Sequence, residues 1–396
     1  MEKQSNVIVV GAGPVGFLTA LGLAKAGVSV TVVEAAPGIN DSPRAAVYFP
    51  TTIAVLDGLG LMEDVDRVAF KSTKFSYRVL ATGEAVHVDT ADSLPPNLPY
   101  TYNAHFGQHI LAEMASRHLL RLPNTQVLWN TKVIGLSQND AGITLTCESP
   151  SGHQEMTADW VVGADGARSA VRHLLGLAFE GHTWPERFVA TNLLYPFDRF
   201  GFEPANMIAD PVNWAVAARL GLDNMWRLTY AEDASLDVAE AVRRVPEHYA
   251  LLLPDPSIPA ELLAASPYRV HERCAPTFRV GRALLAGDAA HACNPCGGMG
   301  LTGGVLDSQA LVQVLTAVIK RNADESVMDF YSTERRRVFL EVTSPVATQY
   351  KQRMCESDPA RQKANLEEMR QMARSSDKAI MATTLSRLVQ GQPMPV

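Results

Sequence analysis

Cysteine is scarce in this chain: five of 396 residues, at Cys147, Cys274, Cys293, Cys296 and Cys355. An odd, scattered set excludes a secreted disulfide framework and points to a reducing compartment, so a cytoplasmic location is expected. Basic runs longer than the triplet Arg335-Arg336-Arg337 are lacking as well. The net charge of −7 and an isoelectric point near 5.8 exclude the cationic face of a nucleic-acid binder. Charged residues reach only 19% against 47% hydrophobic ones, the balance of a folded chain and not of a disordered one. No internal repeat or low-complexity tract is present. The one nearly uninterrupted apolar stretch, Val7 to Ala24, follows Lys3 and has the length of a membrane span or a secretory signal. Gly11, Gly13, Pro14 and Gly16 lie in its middle and would interrupt a continuous helix. No membrane partner is therefore expected.

What fills that stretch is a nucleotide-binding pattern. Val7 to Val10 reads as a short buried strand, Pro14 to Ala26 as a helix stopped by Gly27, and Val28 to Val33 as a second, β-branched strand. Gly11-Ala12-Gly13-Pro14-Val15-Gly16 fits G-x-G-x-x-G at the strand–helix junction. In that pattern Gly11 allows the tight turn, Gly13 lets backbone approach a pyrophosphate, and Gly16 lets helix and sheet pack closely. The helix N-terminus then offers free N–H groups and a positive dipole end. Glu34 follows Gly16 by 18 residues and ends the second strand, where an acid accepts from ribose hydroxyls and disfavours a 2′-phosphate.

Two further signals follow later strands. Ala283 to Ala286 leads into Gly287-Asp288-Ala289-Ala290-His291, then Asn294-Pro295-Cys296-Gly297-Gly298-Met299-Gly300-Leu301, then a long helix. A simple dinucleotide dehydrogenase has no use for this second turn, whereas a longer cofactor has. Trp160 to Gly163 leads into Asp165-Gly166-Ala167-Arg168, which taken alone is a polar turn capping a helix.

The remaining periodicity predicts a hairpin over Thr73 to Val88, a helix over Gly107 to Leu120, and paired strands over Val127 to Cys147. It adds strands over Arg187–Tyr195, Trp214–Leu220 and Met225–Tyr230, helices over Leu301–Arg321 and Thr333–Arg353, and a frayed end from Gln390. The expected fold class is α/β: a discontinuous Rossmann-type domain (1–72, 100–183, 274–330), an interleaved mostly β substrate domain (73–99, 184–273) and a C-terminal helical segment (331–396).

From about Val7 to Tyr331, the three motifs in this order resemble the single-component FAD-dependent aromatic hydroxylases, the para-hydroxybenzoate hydroxylase-like family. The resemblance implies FAD as cofactor, NADPH or NADH as co-substrate, and hydroxylation of a small aromatic substrate by O2 through a flavin hydroperoxide. It implies that Gly11, Gly13, Gly16, Glu34, Arg44, Gln108, Asp165, Asp288, Pro295, Gly298, Gly300 and Leu301 hold the cofactor. Glu34 would take the adenosine ribose, Asp288 the ribityl chain, and Asp165 with Arg168 would serve both FAD and the pyridine nucleotide. The substrate pocket is expected between the β region (187–230) and the Pro295–Gly300 turn, a domain junction of the kind where pockets form. Tyr195, Arg219 and Arg227 are its candidate polar walls, and Arg44, Pro295, Tyr195 and Arg219 the candidate catalytic set. The sequence departs from the family at Asn294-Pro295, where two prolines are frequent, and at Thr302, where asparagine is frequent. The thioredoxin-like tail of some members is not expected here, given the few residues that follow Tyr331.

Other residues carry weaker signals. Cys293-x-x-Cys296 lacks a second ligand pair or thioredoxin-like context, so no metal or redox role is expected. His291 is read as support for its turn in preference to a general base, His182 and Trp184 as packing or rim residues, and Arg335-Arg336-Arg337 as a solvated face. Rival activities are epoxidation, oxidative decarboxylation or degradation of a polycyclic drug on the same scaffold, or a non-catalytic binding protein. Halogenation is disfavoured because no Trp-x-Trp-x-Ile-Pro stretch occurs.

Overall fold

A computed structural model describes residues 6–91, 99–375, 385 and 387–396; Lys3, the Ser93–Leu98 end of the predicted β unit and parts of the C-terminal segment lie outside them. Strands Asn6–Val10, Ser29–Val33, Thr125–Leu128 and Trp160–Gly163 pair in parallel, with Val7 opposite both Val30 and Trp160. Ala283–Leu285 and Arg279–Val280 complete this six-stranded sheet. Val7 to Val10 are all buried, as a parallel strand covered on both faces requires. The apolar stretch that imitates a membrane span is thus a strand, a glycine turn and the helix Pro14–Lys25.

That helix is buried nearly all round, between helices Gln108–Leu119 and Met299–Arg321. A β-carbon at Gly22 would lie 2.7 Å from Val312, so the last pair packs almost backbone to side chain. Met299–Arg321 is long and apolar enough to cross a membrane, but most of its apolar run is buried within the protein.

The second sheet has eight strands among the described residues, in the order His291–Ala292, Glu261–Cys274, Glu180–Leu194, Met225–Glu232, Ala215–Leu220, Ala205–Ala209, Lys74–Val79 and Ala85–Asp89. Two features depart from the sequence reading. The region after Trp184 is less purely β than expected, because helices Val238–Arg243 and Val245–Leu252 cover the far face of the sheet. The long helix expected over Thr333–Arg353 is two, Ser326–Val338 and Ser344–Met354, joined by a π-helical turn Phe339–Thr343. Pro345 lies in the first turn of the second, where its missing N–H and its ring disfavour a regular turn before it.

The C-terminus is also not frayed. Arg335, expected on a solvated face, is buried and donates to the carbonyls of Val389 and Gln390 at 3.0 Å each, while the Gln392 N–H donates to Glu334. Arg335 Nε also meets Asp307 Oδ1 at 2.7 Å, and Asp307 Oδ2 accepts from His291 Nε2 at 2.7 Å and from the Gly287 N–H at 3.0 Å. Burial alone would raise the Asp307 carboxyl, but the charges and hydrogen bonds of His291 and Arg335 bring it down to about 2. Because its folded value is depressed, the stability tied to this charge is fully present above the ordinary carboxyl range near ~4. It is lost as pH falls through about 2. Asp307→Ala, which leaves the buried Arg335 cation and the His291 N–H without their acceptor, should cost about 3–5 kcal/mol in urea unfolding at neutral pH; a loss under ~1 kcal/mol would mean that solvent already reaches the network.

Candidate functional site

A cavity of about 1190 Å³ runs from the glycine turn of the first sheet to the inner face of the second. At its first end, Gly11 has φ +107° and a β-carbon there would lie 2.4 Å from the Ala164 carbonyl oxygen. A β-carbon at Gly16 would lie 2.0 Å from the Gly11 carbonyl oxygen, so this glycine serves packing and does not line the cavity. At Gly13 a β-carbon would meet nothing within 4 Å: the backbone is bare toward the cavity. Helix Pro14–Lys25 starts at Gly13 and helix Met299–Arg321 at Gly298, neither with a side-chain cap. Two N-termini with unpaired N–H groups thus border one cavity, an arrangement suited to an anionic cofactor.

Glu34 accepts from the Ala12 and Ala36 N–H groups at 2.8 Å each, which fixes its carboxylate at the cavity wall with lone pairs to spare. Asp288 opens into the cavity although protein surrounds it; burial raises its carboxyl, and His291 and Arg44 oppose that rise. Asp165 borders the cavity, but its carboxylate is committed to Ser169 Oγ at 2.5 Å and the N–H groups of Ala170 and Val171 at 2.7 and 3.2 Å. It caps the following helix, and of this pair Arg168 is the side chain that borders the cavity with no hydrogen-bond or ion-pair partner among the described residues.

The loop at Arg44 is held from two sides. Arg227 Nη1 donates to the carbonyls of Arg44 and Ala45, and its Nε and Nη2 reach Asn192 Oδ1 at 3.1 and 2.8 Å. Gln108, at the start of its helix, donates its N–H to the Ala45 carbonyl at 3.2 Å. Arg44 itself lies 4.4 Å over the Tyr268 ring, and its buried Nη1 has no hydrogen-bond partner among the described residues. Burial pulls Arg227 down to about 10, far enough above neutrality that it remains a cation. The orphaned Arg44 donor, the two bare helix ends and the carboxylates at Glu34 and Asp288 fit the phosphates and sugars of FAD.

At the other end the wall is aromatic. Phe188 meets Trp214 edge-on at 4.8 Å, and Val216, Tyr268 and Tyr350 continue the lining. Strand parity decides who is here. Along the three central strands Phe188, Trp214, Val216, Ala218, Arg227 and Thr229 face the cavity, while Val189, Ala215, Ala217, Trp226, Leu228 and Tyr230 face the far core. Tyr195 and Arg219, the expected polar walls, have the wrong parity. Tyr195 is buried in the far core with its hydroxyl donating to the Asp255 carbonyl at 2.9 Å, and Arg219 lies 4.2 Å over Phe70. Neither lines the cavity. Trp214, Phe188 and Tyr268 were not singled out from the sequence; alternation along the central strands carried the signal for Phe188 and Trp214, whereas Tyr268 lies on the strand Glu261–Cys274, whose apolar pattern Pro267 interrupts.

Pro295, Gly298, Gly300 and Leu301 border the cavity between its two ends. Gly298 has φ +68°, a left-handed conformation that a side chain would strain. Thr302 turns its hydroxyl back to the Gly298 carbonyl at 2.9 Å, so the departure from asparagine leaves no side-chain amide facing the cofactor. His291 is consumed by Asp307 and stacks 4.6 Å from Phe339. Cys293 and Cys296 are free thiols, both pushed up by burial.

Residues 4–345 match a family model described as an FAD binding domain. The chain is 48% identical over 362 residues to para-nitrophenol 4-monooxygenase from a Pseudomonas species (strain WBC-3), covering 91% of this chain and 90% of that one. It is 40% identical to 6-hydroxy-3-succinoylpyridine 3-monooxygenase from Pseudomonas putida, covering 88% of each. The crystal structure of p-nitrophenol 4-monooxygenase from Pseudomonas putida superposes with a TM-score of 0.94 at 43% identity, covering 99% of this chain and 100% of that one.

Glu34→Lys should lower FAD affinity at least tenfold in equilibrium dialysis, because a lost charged hydrogen bond costs about 1.5–3 kcal/mol. Arg219→Gln, away from the cavity, should keep wild-type FAD content. Equal losses in the two variants would contradict this assignment of the cavity.

Proposed function

The chain belongs to the FAD-binding-domain family, and we propose that it is a monooxygenase that delivers one atom of O2 to the ring carbon para to a phenolic hydroxyl, displacing the substituent that carbon carries. The observation that carries the reading is that one cavity joins the bare glycine backbone to the aromatic wall, which supports a ring substrate lying beside the flavin. The displacement is supported by the ring positions in the names of two relatives. In para-nitrophenol 4-monooxygenase the oxidised position bears the nitro group, and in 6-hydroxy-3-succinoylpyridine 3-monooxygenase it bears the succinoyl group. In both, that position is para to the hydroxyl.

Bound FAD supplies the redox chemistry: it accepts two electrons from NAD(P)H and passes on one oxygen atom of O2. The protein's side chains do the rest. The Phe188–Trp214 wall holds the ring and keeps water out, which suppresses loss of the oxidising power as peroxide. Burial pushes the Tyr268 phenol up to about 12, so Tyr268 stays protonated and can donate a hydrogen bond to a substrate oxygen. A substrate phenolate raises electron density at its para carbon. A C–O bond forms there, the C–substituent bond breaks, and the substituent leaves with the electron pair. With a nitro substituent, one phenol, one O2 and one NAD(P)H give one quinone, one nitrite, one water and NAD(P)+.

With 4-nitrophenol, NAD(P)H and heavy O2, the product should carry one labelled oxygen and nitrite should appear in step with NAD(P)H consumed. A labelled 4-nitrocatechol with the nitro group retained would overturn the displacement, and label arriving only from water would overturn the monooxygenase reading.

A further inference from the structure

The turn that faces the flavin departs from the family's frequent proline pair, and the structure holds something else in its place. Asn294 is fully buried, with no exposed surface. Its Oδ1 accepts from the Cys296 N–H at 3.0 Å, closing the turn on itself. Its backbone N–H and Nδ2 both donate to one oxygen of Glu272, at 3.2 and 3.0 Å. Glu272, on the long strand Glu261–Cys274, is itself buried and its other oxygen finds no partner among the described residues.

The same Glu272 oxygen takes a third donor, Trp184 Nε1 at 3.3 Å. Lys351, ion-paired with Glu186, lies 4.2 Å from the Trp184 ring and 5.8 Å from the Trp214 ring. Trp214 in turn packs on Phe188 in the cavity wall. One carboxylate oxygen therefore ties the flavin-side turn to the residues that back the aromatic wall. A proline ring stiffens a turn by removing φ freedom; here hydrogen bonds to a fixed acceptor do so, and they set the turn's distance from the wall as well.

We propose that Glu272 and Asn294 are positioning residues that hold the Pro295–Gly300 turn at a fixed distance from the aromatic wall, and so keep oxygen transfer coupled to NAD(P)H oxidation. Neither touches substrate; they act through the turn and through Trp184. The proposal rests on the flavin monooxygenase reading above. What the clamp needs from position 272 is an acceptor, not a charge: without one, the two buried Asn294 donors and the part-buried Trp184 Nε1 are left unpaired.

The test compares Glu272→Gln, Glu272→Met and Asn294→Ala in FAD-loaded protein. Three quantities are read: the visible spectrum of bound FAD, product formed per NAD(P)H consumed, and FAD content. Glu272→Gln keeps an acceptor and should match wild type within twofold in coupling, with an unchanged spectrum. Glu272→Met and Asn294→Ala should retain FAD yet shift the flavin band toward that of free FAD, and at least threefold less product should form per NAD(P)H, the balance appearing as peroxide. Wild-type spectrum and coupling in both variants would overturn the proposal, as would a Gln variant no better than the Met one. If Glu272→Met does not fold, Asn294→Ala decides; failure of both to fold would assign the pair to fold stability and overturn the positioning role. If wild-type protein oxygenates no phenol, that reading fails alone, because the spectral series still reports the clamp.

Discussion

Helix Met299–Arg321 and helix Pro14–Lys25 approach the first sheet more closely than side chains would allow. A β-carbon at Gly304 would lie 2.7 Å from Val15 and 3.3 Å from the Gly287 Cα, and one at Gly16 would lie 2.0 Å from the Gly11 carbonyl oxygen. Glycine at these contacts brings two uncapped helix N-termini to one cavity. Their N–H groups and dipoles then need no side chain to meet an anionic cofactor. The second sheet contributes the other wall. It is tied to the first sheet's loops, since Arg227 in the second sheet donates to the Ala45 carbonyl at 3.2 Å, and Arg172, in the helix Ala170–Leu174, donates at 2.9 Å to the Ala289 carbonyl just before the edge strand His291–Ala292.

Polar groups buried around this core act mainly as ties between segments remote in sequence. Asp307 joins the Gly287 turn to Arg335 and through it to the Val389–Gln390 backbone. Glu272 joins the flavin-side turn to Trp184. Such ties add little net free energy when satisfied and cost much when half broken, which suits them to fixing geometry. Arg44 and Asp288 differ from these ties in bordering the cavity, and among the described residues the buried Arg44 Nη1 has no hydrogen-bond partner.

Much of the first sheet was legible in the sequence, because a fully buried parallel strand, a glycine turn and an acid at the next strand end leave contiguous marks at Val7–Val10, Gly11–Gly16 and Glu34. Long strands that alternate faces were harder to read. Tyr195 and Arg219 drew attention as polar residues in β segments, but each is one residue out of phase with the cavity face carrying Phe188, Trp214 and Arg227. The strand Glu261–Cys274, which supplies Tyr268 and Glu272, went unrecognised because Pro267 and charged residues break its apolar pattern. The burial of Arg335 was equally invisible: its partners are Asp307 and the distant Val389 and Gln390 carbonyls, and no local pattern reports contacts of that range.

The central claim is that one cavity seats both the flavin and a phenol, with the phenol against the aromatic wall. A crystal structure with FAD and 4-nitrophenol bound tests it most directly. The account predicts the flavin ring along the Pro295–Gly300 turn and the phenol against Phe188 and Trp214, its nitro-bearing carbon toward the flavin. A phenol bound on the far face beside Tyr195, or a flavin ring outside the Pro295–Gly300 turn, would contradict it.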